Sequence, residues 1–241
     1  MKFLHDLKES RRPYCAAVIV CAGSASRMQG IDKITALIGN KPVAAHTIEA
    51  FQNAPAIDEI VVVARHDKVE YLGELVKTNG YTKVTKVVPG GDTRMDSVAL
   101  GLRAVSKKAV LVAIQDGARP MVTVDIITKT VSMAARYHAA APAVPVKDTV
   151  KVASSTGRVE KTLDRSSLRA VQTPQVFDKD LLNAAWERAR MEKIEYTDDC
   201  GAMEGLGVPV YLTEGSEENL KITTRFDLKV AELIMEGRET V

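Results

Sequence analysis

The sequence is poor in cysteine, and the cysteines that it has form no recognisable framework. Cys15, Cys21 and Cys200 are an odd set of three, with no C-x-x-C pair and no histidine at the spacing of a zinc ligand. Structural disulfides occur mainly in oxidising compartments, and zinc sites need clustered sulfur or imidazole ligands. The sequence therefore predicts a protein of a reducing compartment, the cytoplasm, without a structural zinc site.

An excess of either charge and a long apolar run are also missing. Lysine and arginine together number 33 and aspartate and glutamate 31, which leaves a formal net charge of +2 over 241 residues. Binding of nucleic acid or of an anionic membrane surface usually needs a basic excess on one face. A membrane-spanning helix needs about 20 consecutive apolar residues, and no run approaches that length. We therefore expect neither nucleic acid nor membrane among the partners.

The two most common phosphate-binding loops are absent from the segment that comes nearest to one, "VIVCAGSASRMQGIDK" at residues 18–33. After Gly23 the next glycine is Gly30, and no lysine follows it directly, so the spacing fits neither G-x-G-x-x-G nor G-x-x-x-x-G-K-[ST]. The segment nevertheless runs from apolar residues into small ones and then to two cations, Arg27 and Lys33. Backbone N–H groups and fixed positive charge at such a turn can hold an anion. Taken alone, the pattern also fits an exposed turn.

The sequence does contain a series of short runs, mostly of β-branched or small residues, that alternate with helical patterns. The five runs lie at residues 16–22, 59–64, 83–88, 109–114 and 139–146. Because they lack polar alternation, each is predicted to be a strand covered on both faces. Strands that alternate with helices predict right-handed βαβ crossovers and a mostly parallel sheet. A further strand is expected at 208–214, and helices are expected near 178–190 and 224–236.

Residues that favour helix ends support this α/β assignment. The candidates are Pro42 for a first helical turn, Gly80 for a helix end, and Asp67, Thr123 and Asp178 for N-caps. Either Asp92 or Thr93 can cap the helix that follows the third strand.

One segment after residue 146 departs from the strand–helix alternation. The stretch "DTVKVASSTGRVEKTL" alternates polar and apolar residues about an S-S-T-G turn, which is typical of an exposed hairpin. An isolated two-stranded ribbon is marginal in water, so this arm needs a surface to lie on, and another subunit is a natural candidate. We therefore predict a single domain over residues 1–241 with a dimerisation arm at about 147–172.

Two further polar loops follow predicted strands, where ligands bind in open parallel sheets. "PGGDTRMDSVALGL" contains Asp92 and Ser97, which could hold a base or a ribose, although the same residues suit an ordinary strand-to-helix turn. "QDGARP" contains Asp116 and Arg119. The carboxylate could position Mg²⁺ or a hydroxyl, and the guanidinium could bind a phosphate. A plain Asp–Arg ion pair is the alternative.

Seven blocks stand in order over nearly the whole chain. They are "AGSASRM", "GGDTRMDSV", "DGARP", "DTVK", "LDRSSLRAVQTPQVF", "TDD" and "NLKIT". Together they resemble the 2-C-methyl-D-erythritol 4-phosphate cytidylyltransferases, a family of the non-mevalonate isoprenoid pathway, and the fifth block is long and specific. The resemblance implies a Rossmann-like nucleotidyltransferase fold. It also implies transfer of CMP from CTP to a polyol phosphate, 2-C-methyl-D-erythritol 4-phosphate, with release of pyrophosphate.

The resemblance also assigns roles to residues by position. The catalytic residues that it implies are Arg27, Lys33, Arg165 and Lys221. The CTP-binding residues are Ala22, Gly23, Ser24, Arg27, Lys33, Gly91, Asp92, Ser97 and Gly117. The acceptor-binding residues are Asp116, Arg119, Thr149, Arg165, Thr173, Thr197 and Lys221. Arg27 and Lys33 would neutralise the triphosphate and stabilise the transition state at the α-phosphorus.

A cofactor and a partner subunit follow from the same resemblance. The family implies Mg²⁺ or another divalent cation, held mainly by the CTP phosphates, with Asp116 as the protein residue assigned to it. It implies a homodimer through the hairpin arm, in which Thr149 and Arg165 reach the acceptor site of the partner subunit. It also implies a cytoplasmic protein, or a plastid protein for a chain that has lost its transit peptide.

The implied reaction has modest chemical needs, and two alternatives stay open. Because the attacking group is an anionic phosphate oxygen, alignment and charge neutralisation suffice, and no activated nucleophile or general base is needed. One alternative is a ribitol-5-phosphate cytidylyltransferase, and the other is a nucleotide-binding module without catalysis. The module is supported only by departures from the family pattern: Ala25 for a glycine, Gln115 for a histidine, and about one residue fewer before Lys33.

Overall fold

The computed structural model describes residues 12–23 and 32–239 of the chain. Within them the strands are β1 Cys15–Cys21, β2 Leu37–Ile38, β3 Lys41–Pro42, β4 Glu59–Ala64, β5 Val84–Pro89, β6 Leu111–Asp116, β7 Ala139–Pro145, β8 Lys151–Ala153, β9 Val159–Thr162, β10 Arg169–Val171, β11 Gln175–Asp178 and β12 Tyr211–Glu214. The helices are α1 Val43–Asn53, α2 Val69–Thr78, α3 Arg94–Ala104, α4 Val124–Tyr137, α5 Lys179–Glu192, α6 Asp199–Gly205 and α7 Arg225–Glu239. Short 3₁₀ turns occupy His66–Lys68 and Arg165–Ser167.

The predicted α/β fold is confirmed, with a mixed and mostly parallel central sheet of eight strands. In space the main strands follow the order β5, β4, β1, β6, β11 and β7. The strands β5, β4, β1 and β6 pair in parallel, whereas β11 runs antiparallel between β6 and β7. Two more strands pair with β7, β10 in antiparallel and β12 in parallel orientation.

Two hydrophobic clusters, one on each face of the sheet, explain why the strands lack polar alternation. On β1, Ala17 and Ile19 belong to one cluster, and Ala16 and Val18 belong to the other. Helices α1, α2, α4 and α7 complete the first cluster, and α3, α5 and α6 complete the second. Successive side chains of a strand point to opposite faces, so a strand that is covered on both faces is apolar throughout.

The expectation that all five runs are covered on both faces is wrong for β5. This strand lies at the edge of the sheet, and its residues Thr85, Lys86 and Pro89 are exposed. An edge strand has a paired neighbour on one side only, and polar residues there stay in contact with water.

Most predicted helix caps are confirmed, and one is wrong. The side chains of Thr123 and Asp178 accept backbone N–H groups at the starts of α4 and α5. Thr93, rather than Asp92, caps α3. Asp67 does not cap α2, because its carboxylate bonds to Arg65 and a 3₁₀ turn precedes the helix.

The predicted exposed hairpin is confirmed as β8 and β9. The two strands pair antiparallel, and all seven of their residues are exposed. Two of these residues are large and apolar, Val152 at 41% and Val159 at 55% exposure. The arm therefore presents apolar side chains that the described part of its own chain does not cover.

Cys15, Cys21 and Cys200 are buried and free. In the described ranges, no helix is both long and apolar enough to cross a membrane.

Candidate active site

A cavity of about 290 Å³ opens at the edge of the sheet where several parallel strands end. The register aligns Val20 of β1 with Asp116 of β6, and Ala64 of β4 with Pro89 of β5. Residues expected to bind substrates line this cavity: Ala22, Gly23, Lys33, Gly91, Asp92, Ser97, Asp116 and Lys221. The loops that follow the strands therefore converge on one volume, as ligand sites of open parallel sheets do.

The loop after β5 is held in shape by a serine and by close packing. The backbone N–H of Gly91 donates to Ser97 Oγ at 3.2 Å, and Ser97 in turn donates to the carbonyl of Thr93 at 3.0 Å. A Cβ atom on Gly91 would lie 2.4 Å from the Cβ of Asp96. Because no real side chain fits there, glycine is required and the backbone of this loop borders the cavity directly.

Lys33 brings a positive charge to the lining of the same cavity. It lies in a turn in which the Asp32 carboxylate accepts the Ile34 N–H at 3.0 Å and the Asp32 carbonyl accepts the Ala36 N–H at 2.9 Å. The Lys33 ammonium is 3.4 Å from the position that a Cβ atom on Gly23 would take. The cation therefore lies directly beside Gly23, just after the end of β1.

Asp116, at the end of β6, is surrounded by three cations. Its carboxylate lies 2.7 Å from Lys221 Nζ, 3.6 Å from Arg119 Nε and 3.8 Å from Arg94 Nε. Burial by itself raises the pKa of Asp116, but the charges of Lys221 and Arg94 outweigh burial and hold the pKa below its usual range. Asp116 is therefore a carboxylate that stays ionised in a basic surrounding.

Arg94 and Asp199 are site residues that the sequence reasoning missed. Arg94 lines the cavity, and its Nη2 donates to Asp199 Oδ2 at 2.7 Å. The Asp199 side chain is fully buried, and its burial raises its pKa while Arg94 opposes the rise. Both residues lie in quoted blocks, "GGDTRMDSV" and "TDD", but no sequence pattern indicates that charges so far apart along the chain meet.

A buried glutamine fixes the start of α6, which carries Asp199. The Gln175 Oε1 accepts the backbone N–H groups of Asp199 and Cys200 at 3.1 and 3.2 Å, and its Nε2 donates to Asp198 at 2.8 Å. The antiparallel strand β11 therefore connects the sheet to the helix whose first residue pairs with Arg94.

Three more predicted residues surround Asp116 without lining the cavity. The Thr173 hydroxyl accepts the Asp116 N–H at 3.1 Å, and Arg119 donates to the Asn219 carbonyl at 2.6 Å. A Cβ atom on Gly117 would lie 2.4 Å from Cys21 Sγ. In the described chain, these residues hold the end of β6 and the segment before Lys221 in place.

None of the five remaining predicted site residues is among the described residues that line the cavity. Two of them, Ser24 and Arg27, are outside the described part of the chain. Thr149 and Arg165 lie at the hairpin arm, where Arg165 donates to the Lys147 carbonyl at 2.7 Å, and neither lines the cavity. Thr197 is exposed and directly precedes the N-cap of α6.

The cavity has few protein ligands for a metal ion. Across residues 12–23 and 32–239, no group of three or more His, Cys, Asp or Glu side chains could hold a metal. Asp116 is a carboxylate at the cavity, and it already pairs with Lys221. The described donor set therefore does not fit a metal site built from protein ligands alone.

Several known proteins with similar sequences belong to one family. The profile of the 2-C-methyl-D-erythritol 4-phosphate cytidylyltransferases matches residues 15–237. The protein of that name from Dehalococcoides mccartyi is 44% identical over 219 residues, or 91% of this chain and 95% of the relative. Its counterpart from Caldanaerobacter subterraneus is 45% identical over 222 residues, or 91% of this chain and 98% of the relative.

Solved structures show the same likeness. The 4-diphosphocytidyl-2C-methyl-D-erythritol synthase of Anaerococcus prevotii is similar with a TM-score of 0.83 at 29% identity, over 92% of this chain and 96% of that chain. The 2-C-methyl-D-erythritol 4-phosphate cytidylyltransferase of Thermus thermophilus is similar with a TM-score of 0.74 at 30% identity, over 91% and 98% of the two chains.

Proposed function

The chain belongs to the 2-C-methyl-D-erythritol 4-phosphate cytidylyltransferase family, and from that premise we propose how its residues carry out the reaction. The protein is a CTP-dependent cytidylyltransferase of the non-mevalonate isoprenoid pathway. It transfers CMP from CTP to 2-C-methyl-D-erythritol 4-phosphate and forms 4-diphosphocytidyl-2-C-methyl-D-erythritol and pyrophosphate.

The triphosphate of CTP lies beside Lys33 and the small-residue turn after β1. The position of the Lys33 ammonium next to Gly23 supports this assignment. Ala22, Gly23 and Ser24 supply backbone groups, and Arg27 adds a second cation from the same loop. Fixed cations at this point neutralise charge that develops on the transferred phosphorus, and they require no reorganisation during the reaction.

The cytidine lies against the loop after β5. Its contacts come from the backbone of Gly91 and from Asp92 and Ser97, and Gly117 provides room at the end of β6. The support is that Gly91, Asp92 and Ser97 line the cavity and that the Ser97 hydroxyl holds this loop in shape.

The methylerythritol phosphate lies beside Asp116 and Lys221. Lys221 and Arg119 attract the acceptor phosphate, Asp116 positions the acceptor, and Thr173 and Thr197 complete the site. A phosphate oxygen of the acceptor attacks the α-phosphorus in line. The new P–O bond forms as the bond to the β-phosphate oxygen breaks, and pyrophosphate leaves with the electron pair.

Members of the family generally use a divalent cation. Since the described residues do not form a protein-held metal site, we assign the Mg²⁺ to the CTP phosphate oxygens, with Asp116 as the nearby carboxylate. Bound in this way, the ion supplies positive charge to the triphosphate. The residues of this chain align the two substrates, and their cationic side chains reduce the electrostatic repulsion between the two anions.

The arm at about residues 147–172 is the dimerisation element of a single catalytic domain. Its strands β8 and β9 are exposed over their whole length, which supports a partner subunit as the covering surface. In the homodimer, Thr149 and Arg165 act in the acceptor site of the partner subunit. This arrangement gives a role to two residues that do not line the cavity of their own chain.

The observation that carries these assignments is the presence of Lys33, Asp116 and Lys221 in one cavity. The experiment measures pyrophosphate release from CTP with 2-C-methyl-D-erythritol 4-phosphate or with ribitol 5-phosphate as the acceptor. We expect turnover with the first acceptor. Turnover with ribitol 5-phosphate alone would contradict the proposed acceptor, and CTP binding without pyrophosphate release from either would favour a non-catalytic module.

A further inference from the structure

Arg65 connects the end of a central strand to the turn that carries Lys33. Arg65 directly follows β4, and its Nη2 lies 3.0 Å from Asp32 Oδ2. Asp32 immediately precedes Lys33, and its side chain is only 17% exposed. The ion pair therefore joins two segments that are separate in the sequence, directly beside the cavity residue Lys33.

The second carboxylate oxygen of Asp32 shapes the turn itself. Its Oδ1 accepts the backbone N–H of Ile34 at 3.0 Å, and the Asp32 carbonyl accepts the N–H groups of Thr35 and Ala36 at 3.2 and 2.9 Å. One oxygen of Asp32 thus holds the turn, while the other holds Arg65. Whatever fixes the Asp32 carboxylate also fixes the backbone on both sides of Lys33.

The strand β4, which Arg65 directly follows, is held in the interior of the sheet. All six residues of β4 are buried, and the strand is paired on both sides, with β1 and β5. The carbonyl of Ala64 accepts the N–H of Gly90 at 2.7 Å. Two consecutive residues, Ala64 and Arg65, therefore contact two segments that both contribute to the lining of the cavity, through Gly91 and Lys33.

We propose that Arg65 is a positioning residue, which acts through Asp32 to keep the Lys33 ammonium beside Gly23. This inference rests on the proposed role of Lys33 in binding the CTP triphosphate. Arg65 itself does not line the cavity, so its effect on catalysis is transmitted by the turn. Electrostatic stabilisation of a transition state depends on cations that are held in place before the reaction. Arg65 contributes by holding Lys33 in such a position.

The expected size of the effect follows from the exposure of the pair. Arg65 is 36% exposed, and ion pairs that are partly open to water stabilise one geometry by a factor of up to about five. Arg65→Ala should therefore lower kcat/KM for CTP about threefold to fivefold. Because Asp32 holds the turn through the same carboxylate, Asp32→Asn should lower kcat/KM for CTP by a similar factor.

The chain offers a matched control and a conservative variant. Asp67 is the other partner of Arg65, at 2.9 Å from Nη2, but no hydrogen bond of Asp67 reaches the described part of the Lys33 turn. Asp67→Ala should leave kcat/KM within about twofold of the wild-type value. Arg65→Lys keeps the charge and should recover part of the loss. Thermal unfolding followed by circular dichroism verifies that each variant is folded.

The decisive experiment is a double-mutant cycle of Arg65→Ala and Lys33→Ala, read as kcat/KM for CTP at saturating acceptor. If Arg65 acts through Lys33, the double variant has the same kcat/KM as Lys33→Ala alone, within about 1.5-fold. If the two losses multiply, the positioning role is wrong while the role of Lys33 stands. If Lys33→Ala itself keeps wild-type kcat/KM, the proposed role of Lys33 is wrong, and the positioning role falls with it.

Discussion

The ammonium Nζ of Lys221 lies 2.7 Å from Oδ2 of Asp116, which joins the segment before α7 to the carboxyl end of β6. The backbone supports this contact, because the N–H of Ile222 donates to the Ala118 carbonyl at 2.8 Å. With Arg94 and Arg119 nearby, the carboxylate is outnumbered by cations. Such a surrounding suits an enzyme that must hold two anionic substrates close together.

Arg94→Ala should destabilise the fold strongly. The change leaves the fully buried carboxylate of Asp199 without the guanidinium that now lies 2.7 Å away. Removing one partner of a buried ion pair typically costs about 3–5 kcal/mol in the free energy of unfolding. Urea unfolding measures the loss. Arg103→Ala, an exposed arginine in the last turn of the same helix, is the control and should stay within about 0.5 kcal/mol.

The destabilisation by Arg94→Ala should depend on pH. Burial raises the pKa of Asp199 and Arg94 opposes the rise, so without Arg94 the pKa in the folded state moves further upward. A carboxyl group with a raised folded-state pKa binds its proton more readily when folded, so the fold gains stability as pH falls through that pKa. The deficit relative to wild type should therefore be smaller at pH 5 than at pH 7. Equal deficits at both pH values would refute the assignment to Asp199.

Two buried glutamines should respond differently to replacement by methionine. Gln115 is fully buried, and neither atom of its amide has a hydrogen-bond partner among the described residues. Gln115→Met removes a buried amide that has no partner, so the free energy of unfolding should stay unchanged or rise by about 1 kcal/mol. Gln175→Met removes three hydrogen bonds to the start of α6 and should destabilise by about 2–4 kcal/mol. Chemical unfolding of both variants makes the comparison, and a large loss for Gln115→Met would reveal an unrecognised partner.

Mixed dimers test the proposal that the arm of one subunit completes the acceptor site of the other. Arg165→Ala and Lys221→Ala homodimers should each be inactive, because one lacks the arm residue and the other lacks the cavity residue. In a heterodimer of the two variants, one of the two sites combines an intact arm with an intact cavity. We expect about half the wild-type activity per dimer from such purified heterodimers. Inactive heterodimers, with subunit exchange verified by mass spectrometry, would mean that Arg165 does not act in the partner's site.

The strands and most helices could be predicted because local patterns determine them. The run 59–64 coincides with β4, and the caps Thr123 and Asp178 lie where short polar side chains accept free N–H groups. The exposure of Thr85, Lys86 and Pro89 on β5 could not be predicted, because the position of β5 at the sheet edge depends on the order of strands. The same holds for β11, whose four residues Gln175–Asp178 do not reveal an antiparallel neighbour.

The candidate site was predictable where its residues follow strands and hidden where they pair across the chain. Gly91 follows β5, Ser97 lies near the start of the next helix and Asp116 ends β6, so their convergence follows from the topology of a parallel sheet. The ion pair of Arg94 with Asp199 depends on the tertiary arrangement that brings the starts of α3 and α6 together, which has no local signature. The ion pair of Arg65 with Asp32 likewise has no local signature, because it joins two residues that are far apart in the sequence.

The most direct test of the account is the rate at which Lys221→Ala forms 4-diphosphocytidyl-2-C-methyl-D-erythritol from CTP and 2-C-methyl-D-erythritol 4-phosphate. If the cavity is the active site, kcat should fall by about 10²–10⁵, as for other cations that stabilise phosphoryl transfer. Lys229→Ala, an exposed lysine on α7, should keep the wild-type kcat. A folded Lys221→Ala variant that matches Lys229→Ala in kcat and KM would contradict the account.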